Sequence, residues 1–420
     1  MTELMIIADD FTGALDAGVH FAERGIGTRV IVSLDHDRSW EEGIRSGETT
    51  VLVIDAETRH VSPDQAYRKV FAVAKDAREA GIPYIYKKTD SALRGNIGSE
   101  LEAAYRAAGE PFLSFVPALP QMNRITRGGR QYIDGVPVSK SVFGRDPFEP
   151  VTKDSVKDII RLQSEIPVIE THGEARPGPG QAGIVVYDAT TEADIRRIGA
   201  DLTVTGQNRL MAGCAGFAAI LPDLLGLKRQ EPETAALERR LFVICGSVNP
   251  ITRRQLDWGE RVGYPRIYMA AEEKLNPEFW RAEQGAGLTR RMTQESSEND
   301  CVILDTNDRE SERNTLEYAR ELGMDTGQVR SRIPETLGII LKNMLDCGLH
   351  AVILVTGGDT LLGFMKEIRQ WELQPIRQVR PGCGLTKLYY CGREHHIITK
   401  SGGFGEENLL SELTEELKGK

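Results

Sequence analysis

The sequence lacks the long apolar runs and paired cysteine motifs that mark membrane proteins, zinc sites and disulfide frameworks. Its apolar runs, such as Ala351–Val355, are far shorter than the roughly 18 residues that a membrane span needs. The start, MTELMIIADD, has no basic segment followed by a long apolar one, so no secretory signal is expected. Six cysteines show no CxxC spacing, which favours reduced thiols. The sequence therefore predicts a cytoplasmic protein without a membrane partner.

The chain also lacks an excess of positive charge. It has 52 Lys and Arg against 62 Asp and Glu in 420 residues, a net charge of −10. This balance argues against a general nucleic-acid partner. A hydrophobic content of 40% with 27% charged residues is typical of a chain that can bury a core. Small molecules are the expected partners, and a homo-oligomer stays open.

Short apolar runs alternate with helical patterns along almost the whole chain, which is typical of βα units and parallel sheets. The polar, charged segment Lys228–Arg240 interrupts this alternation and indicates a linker. We therefore expect an α/β protein with two α/β domains, 1–230 and 231–420, largely parallel sheets, and a substrate crevice between the domains.

Three local patterns give more specific expectations. The segment 201–205 is predicted as a strand and 208–225 as a helix. The Gly- and Arg-rich segment Ile125–Pro150 contains Asp134-Gly135, a dipeptide that favours a β-hairpin. A segment of this length without regular alternation is usually functional or a lid.

Two carboxylates, Asp9 and Asp10, follow the first predicted strand directly and precede a helix. Ligands of open α/β sheets bind at the carboxyl ends of strands. Here two carboxylates can hold a metal, accept a proton from a hydroxyl, or hydrogen-bond a polyol. The alternative is that one caps the helix while the other is solvated.

A second charged group follows the strand that ends near Lys88. Lys87, Lys88, Thr89, Asp90 and Arg94 fall within eight residues, and Arg59 follows another strand. This composition suits the binding of a carboxylate or a phosphate. The alternative is a solvated, charged strand end.

The second half of the chain carries glycine-rich turns after predicted strands. They are the turn at Ser247, the turn Gly357-Gly358-Asp359-Thr360, the turn 380–384 and the turn that contains Gly403. Glycine lets backbone N–H groups approach phosphate oxygens, and a helix N-terminus favours negative charge. No turn matches GxxxxGK[ST] or GxGxxG, so neither a P-loop nor a Rossmann dinucleotide site is supported. Several such turns in one domain indicate a nucleotide.

These motifs together resemble the four-carbon acid sugar kinase family. They are ADDFTGALDAG (8–18), YKKTDSALRGNIG (86–98), DGVPV with a following F-x-x-DP (134–147), TGGD (356–359) and KSGGFG (400–405). They occur in order across essentially the full chain. Within the family, the resemblance is strongest to kinases of D-threonate, although Ala92 stands where their motif usually has Thr.

The resemblance implies an ATP-dependent kinase that phosphorylates the C4 hydroxyl of a four-carbon sugar acid. D-threonate is the first expectation, and D- or L-erythronate or an oxo-tetronate are the alternatives. The acid would be bound by Asp9, Arg59, Lys87, Lys88, Thr89 and Asp90, and ATP by Ser247, Gly357, Gly358, Asp359, Thr360 and Gly403.

For the transfer step, the same resemblance implies help from Asp10 and Arg94. A carboxylate must also accept the C4 hydroxyl proton; Asp90 and Asp10 are both candidates for this general base, and Asp359, which follows two glycines, is a rival. Mg²⁺ would bridge the ATP phosphates, and no residue is assigned as its ligand. Two other classes stay open. A nicotinamide-linked oxidoreductase would act on the same acids, and a non-catalytic protein would only bind them.

Overall fold

The chain folds into two α/β units. The computed structural model describes residues 1–33, 39–46, 49–146, 149–171, 180–309, 313–401 and 403–419. Contacts divide the chain into a first unit, Met1–Glu233, and a second unit, Thr234–Lys420. In the described residues, no helix has both the length and the apolar character that a membrane crossing requires.

The first unit is built on a parallel sheet in the order β2-β3-β1-β4-β11-β5-β10-β9. Its strands, including three of a separate hairpin sheet, are β1 Leu4–Ala8, β2 Thr28–Val32, β3 Val51–Asp55, β4 Tyr84–Lys88, β5 Phe112–Val116, β6 Arg124–Arg127, β7 Arg130–Ile133, β8 Val136–Pro137, β9 Val168–Thr171, β10 Gly183–Tyr187 and β11 Leu210–Gly213. Its helices are α1 Phe11–Ala22, α2 Ser39–Ser46, α3 Pro63–Glu79, α4 Ile97–Ala108, α5 Val156–Arg161, α6 Glu192–Thr205, α7 Ala215–Ala218 and α8 Leu221–Leu224.

The central strands β1 and β3 carry an apolar run rather than an alternating pattern, and only Asp55 at the end of β3 is charged. Every residue of β1 and β3 is buried, which is the pattern of a parallel sheet covered on both faces. Ala8 at the end of β1 is in register with Asp55 of β3 on one side and Lys88 of β4 on the other. The residues that follow these three strands therefore meet at one edge. The strand order reverses at β1, where α/β sheets form a crevice.

The three-stranded antiparallel sheet β6-β7-β8 confirms the predicted hairpin. Asp134 and Gly135 have φ angles of 49° and 80°, so both residues adopt the left-handed conformation that a tight two-residue turn needs. Gly128 and Gly129 make the other turn with φ angles of 59° and 68°. The hairpin begins at Arg124.

The second unit contains a mixed sheet in the order β13-β14-β12-β15-β18-β17-β16, parallel as far as β18 and antiparallel beyond it. Its strands are β12 Leu241–Cys245, β13 Arg266–Tyr268, β14 Cys301–Asp305, β15 Val352–Thr356, β16 Glu372–Arg380, β17 Cys383–Tyr390 and β18 Arg393–Lys400. Its helices are α9 Pro250–Arg261, α10 Ala271–Lys274, α11 Pro277–Arg281, α12 Glu283–Glu298, α13 Thr315–Glu321, α14 Thr326–Asp346, α15 Gly358–Ile368 and α16 Leu409–Leu417.

Two predictions about the first unit are wrong. Residues 201–205 form the last turn of α6, which starts at a capping box on Thr191 and ends at Gly206, with φ 69°. The β-branched residues there resemble a strand, but the caps favour one continuous helix. The predicted helix 208–225 begins instead with β11, which pairs with β4 and β5. A short apolar run does not by itself distinguish a buried strand from a helix.

Candidate functional site

Arg59, which follows β3, holds together the two carboxylates that follow β1. The Arg59 Nε and Nη2 atoms donate to Asp9 Oδ2 at 2.9 and 2.7 Å. Its Nη1 atom donates to Asp10 Oδ2 at 2.5 Å. Arg59 and Asp9 are buried, so the ion pair is shielded from water.

Asp90 brings the loop after β4 into the same cluster. Its Oδ1 lies 3.7 Å from Arg59 Nη2 and accepts from Arg94 Nη2 at 2.8 Å. Its Oδ2 accepts from Arg94 Nε at 3.0 Å and from the backbone N–H groups of Ala92 and Arg94 at 3.1 and 3.2 Å. The Asp90–Arg94 pair is thus bidentate and fixes the loop conformation.

The electrostatic surroundings keep the cluster charged. Burial disfavours the ionised form of Asp90, but the Arg94 and Arg59 charges outweigh it and hold the Asp90 pKa well below its usual range. Burial likewise opposes ionisation of Asp9, yet Arg59, Lys87 and Lys88 lower the Asp9 pKa. The site therefore holds ionised carboxylates over the whole physiological pH range.

The structure confirms one half of the alternative interpretation of the Asp9-Asp10 pair, the helix cap, and contradicts the other half, the solvated carboxylate. Asp10 caps α1, since its Oδ1 accepts from Gly13 N at 2.9 Å, while its Oδ2 bonds to Arg59. Asp9 is not solvated. Its Oδ1 is buried and accepts no hydrogen bond from the described part of the chain. A buried acceptor of this kind needs a partner, which a ligand hydroxyl can provide.

Lys87 and Lys88 leave β4 in different surroundings. Lys87 is fully buried, and its Nζ lies 2.8 Å from Glu100 Oε2 on α4. Lys88 Nζ donates to Thr89 O at 2.8 Å and lies beside Gly13, where a Cβ atom would come within 2.9 Å of it. Thr89 is buried, and its N–H continues the strand pairing to Gly213 O at 2.8 Å. Lys87 therefore points into the core, whereas Lys88 reaches the start of α1.

Two charged residues next to this cluster were not found from the sequence. Glu100 is fully buried opposite Lys87 on α4. Arg124, at the start of β6, donates to Ser91 Oγ, and its guanidinium lies 5.0 Å from the centre of the Phe143 ring. An acidic residue in the middle of an otherwise apolar helix face was an available signal for Glu100. Arg124 had none, because only the fold brings the hairpin to this edge.

A cavity of about 370 Å³ borders the cluster on the side of Arg59 and Arg94. Gly95, Asn96, Glu149 and Thr152 are among the other residues that line it. The volume lies in the range of small-molecule sites. Arg59 and Arg94 are the residues that the cavity shares with the charged cluster.

In the second unit, the predicted glycine turns also meet at one edge of a sheet. Cys245 is in register with Asp305 and Thr356, and Thr356 with Lys400. The residues that follow β12, β14, β15 and β18 therefore converge. The helices α9 and α15 both start at this edge, and two helix N-termini favour the binding of phosphate.

The turn between β15 and α15 requires its glycines. Gly357 caps α15 with a φ of 96°, a conformation that favours glycine. A Cβ atom on Gly246 would lie 2.2 Å from Thr360 Oγ1, so only a glycine fits opposite that buried threonine. Gly358 is the first residue of α15. The turn thus exposes backbone rather than side chains.

The other residues predicted for the nucleotide differ in their surroundings. Ser247 Oγ accepts from Asn249 N at 3.3 Å, and Ser247 O accepts from Asn307 Nδ2 at 3.3 Å. Asp359 is about half exposed, with Arg330 Nε 3.5 Å from its Oδ2. Gly403 is exposed, and a Cβ atom there would meet no described atom within 4 Å. In the described residues, no group of three His, Cys, Asp or Glu side chains could hold a metal.

Two family models match the chain, one in each unit. The sugar-binding N-terminal domain matches residues 4–221, and the nucleotide-binding C-terminal domain matches residues 242–410. The first match contains the charged cluster and the second contains the glycine turns.

Known proteins match over almost the full length. A D-threonate kinase of Salmonella typhimurium is 30% identical over 97% of this chain and 96% of its own. A D-erythronate kinase of Heliobacterium modesticaldum is 28% identical over 97% and 95%. A solved structure from Haemophilus influenzae covers 99% of both chains at 19% identity with a TM-score of 0.74, which supports the fold. The chain therefore belongs to the four-carbon acid sugar kinase family.

Proposed function

We propose that this enzyme transfers the γ-phosphoryl group of ATP to the C4 hydroxyl of a four-carbon sugar acid, with D-threonate as the expected substrate. The products would be the 4-phospho acid and ADP. D-erythronate, L-erythronate and oxo-tetronates are the alternative substrates. The first unit would bind the acid, and the second unit would bind the nucleotide.

One observation carries this proposal: a buried cluster of opposite charges that includes an acceptor without a hydrogen-bond donor. The cluster combines the carboxylates Asp9, Asp10, Asp90 and Glu100 with the cations Arg59, Arg94, Lys87, Lys88 and Arg124. Arg94 Nη1 also lies 3.5 Å from Asp146 Oδ2, whereas Lys88 and Arg124 have no carboxylate within 4.0 Å among the described residues and could receive one from a ligand. Asp9 Oδ1 offers an acceptor for a hydroxyl. A hydroxy acid supplies both groups.

The chain's own residues divide into positioning and proton-accepting roles. Asp9, held by Arg59, would accept a hydrogen bond from a substrate hydroxyl and so orient the carbon chain. Phosphoryl transfer depends mainly on such positioning and on neutralisation of charge. The Gly357 turn and the N-terminus of α15 would receive the phosphates through backbone N–H groups.

Asp10 is the proposed acceptor of the C4 hydroxyl proton. Its side chain is 24% exposed, against 7% for Asp90 and 2% for Asp9, so a substrate can reach it. Asp90 is a poorer base, because its two Arg partners hold its pKa well below the operating pH. Arg94 and Asp90 would keep the loop after β4 in place.

Mg²⁺ fits the second unit as a companion of ATP. Magnesium usually takes one or two carboxylates together with phosphate oxygens, and Asp359 offers a carboxylate in the first turn of α15. When bound, the ion would neutralise charge on the phosphates. Asp359 would then serve the nucleotide rather than the acceptor hydroxyl.

The proposal is tested by measuring ADP release with MgATP and each four-carbon acid in turn. We expect turnover with one stereoisomer well above the rate without acid, and the phosphorus resonance of the product should couple to the C4 protons. NADH formation with the same acids and no ATP would support an oxidoreductase instead. Binding of an acid without ATP binding in calorimetry would support a non-catalytic binding protein.

A further inference from the structure

The cations of the charged cluster differ in whether a carboxylate neutralises them. Arg59 pairs with Asp9 and Asp10, Arg94 pairs with Asp90, and Lys87 pairs with Glu100. Each of these three cations therefore already has a carboxylate partner within the protein. A ligand carboxylate would have to displace one of their partners to bind them.

Arg124 differs from these three cations, because it forms no ion pair with a described carboxylate. Among the described residues, no carboxylate lies within 4.0 Å of its guanidinium, although the charges of Asp90 and Asp134 act on it from farther away and raise its pKa. The side chain is half-buried at the start of β6, and burial lowers the Arg124 pKa. A half-buried guanidinium without a counter-ion is costly, and an anionic ligand would remove that cost.

The neighbours of Arg124 fix its orientation without neutralising it. Its Nη1 atom donates to Ser91 Oγ, in the loop that follows β4. Its guanidinium and that of Arg94 each lie 5.0 Å from the centre of the Phe143 ring. A guanidinium held in this way keeps N–H donors free for a planar, two-oxygen acceptor.

Lys88 is the second cation of the site without a carboxylate partner within 4.0 Å among the residues that the structure describes. Lys88 and Arg124 both act on the buried thiol of Cys214: burial raises the Cys214 pKa, and these two charges oppose that shift. Lys88 lies on the Asp10 side of the cluster, because a Cβ atom on Gly13 would lie 2.6 Å from Asp10 Oδ1 and 2.9 Å from Lys88 Nζ. Arg124 instead lies beside Ser91, in the loop that follows β4.

We propose that Arg124 binds the carboxylate of the sugar acid, with Ser91 and Phe143 holding the guanidinium in place. This inference rests on the proposed function and assigns the polarity of the substrate in the site. The carboxylate lies toward β6 and Ser91 in the loop after β4, and the hydroxyls lie toward Asp9 and Asp10. Discrimination between a sugar acid and its neutral alcohol then depends mainly on Arg124.

The test compares each four-carbon acid with the matching tetritol, which has a CH₂OH group in place of the carboxylate. Steady-state kinetics and calorimetry are run on the wild type, Arg124→Ala, Arg124→Lys and the control Arg127→Ala. Arg127 is exposed on the same strand, and its guanidinium lies over the Tyr132 ring. Thermal melting shows that each variant is folded.

We expect Arg124→Ala to raise the KM and Kd for the acid roughly 10- to 100-fold, the effect of losing charged hydrogen bonds. Its affinity for the tetritol should stay unchanged. Arg124→Lys should recover only part of the acid affinity, because lysine cannot make two parallel hydrogen bonds. Arg127→Ala should match the wild type.

Other outcomes separate this inference from the proposed function. Unchanged acid affinity in Arg124→Ala, with an active wild type, would overturn the inference alone. A fall in kcat with both acid and tetritol, at unchanged acid KM, would also overturn it, because Arg124 would then act on the transferred phosphoryl group. A wild type that neither binds nor phosphorylates any of the acids would overturn the proposed function as well.

Discussion

Lys87 provides a sharp test of how the charged site is supported, because it was expected to bind substrate but is fully buried against Glu100. We consider the substitution Lys87→Met, which keeps most of the side-chain volume and removes the charge. Glu100 would then have a buried carboxylate without its ion-pair partner 2.8 Å away. The structure thus predicts a large loss of stability rather than a simple loss of affinity.

The expected size follows from the burial of both partners. Removing one partner of a buried ion pair costs about 3–5 kcal/mol of unfolding free energy, because the other charge is left uncompensated. Replacing both partners by apolar residues of similar volume is often close to neutral. We therefore expect Lys87→Met and Glu100→Met each to lose about 3–5 kcal/mol, and the double variant to recover most of that loss.

The pH dependence has a definite sign. Burial raises the Glu100 pKa above its ordinary value, while Lys87 opposes that shift. Without Lys87 the folded-state pKa rises further, so the folded state binds more protons than the unfolded state above about pH 4.3. Stability then falls as the pH rises through the interval between the two pKa values. The deficit of Lys87→Met should therefore be small near pH 4 and grow toward pH 7.

Urea unfolding followed by circular dichroism from pH 4 to pH 8 measures these differences for the wild type, both single variants and the double variant. Lys75→Met is a matched control, because Lys75 lies on exposed α3 surface and makes an i,i+4 pair with Glu79. A Lys87→Met protein as stable as the wild type at pH 7, with a reduced affinity for the acid, would refute this reasoning. It would return Lys87 to the group of substrate-binding residues.

Three further predictions concern the two sites. Asp10→Asn should keep the α1 cap, because asparagine caps a helix as well as aspartate does. It should lower kcat roughly 10²- to 10⁴-fold, because the amide cannot accept the hydroxyl proton. An unchanged kcat would exclude Asp10 as the general base. Because the Asp90 pKa is depressed, Asp90 should stabilise the fold above about pH 3.9, and this stabilisation should be lost as the pH falls below that value. The unfolding free energy of Asp90→Asn should be about 1.5–3 kcal/mol lower than that of the wild type at pH 7 and should lack this loss in acid. Parallel acid titrations of the two proteins would disprove the assignment. Gly246→Ala should destabilise the protein by about 1–3 kcal/mol and raise the KM for ATP, because the new Cβ would lie 2.2 Å from Thr360 Oγ1. The double variant Gly246→Ala/Thr360→Ala should recover much of the stability and of the ATP affinity. A Gly246→Ala protein with wild-type stability and KM would contradict this packing.

The convergence of the site was predictable because it follows from strand order in a parallel sheet. Asp9, Asp10, Arg59 and Asp90 each follow a strand, and parallel neighbours place their carboxyl ends at one edge. The partners within that edge were not predictable. Arg59 bonds to Asp9 and Asp10, which precede it by 50 and 49 residues along the chain. At such separations the spacing of residues in the sequence does not indicate which side chains meet.

The parts that were missed have a common physical cause. Strand β16 and most of β17, of which only the end near Tyr389 was predicted, form an antiparallel meander in which burial depends on the neighbouring strand, not on a local apolar run. Arg124 lies on a hairpin whose position over the sheet is a tertiary property. Lys87 and Lys88 are adjacent in sequence, yet opposite side-chain directions along β4 give them different surroundings.

Coupled ADP release with MgATP and D-threonate, L-threonate, D-erythronate, L-erythronate or D-glycerate tests the proposed kinase activity. We expect turnover with one four-carbon acid, and little or none with the three-carbon D-glycerate or without acid. Turnover should fall sharply in Asp10→Asn. ATP binding without turnover on any four-carbon acid would contradict the proposed substrate class, and an oxo-acid or a longer sugar acid would then have to be tested.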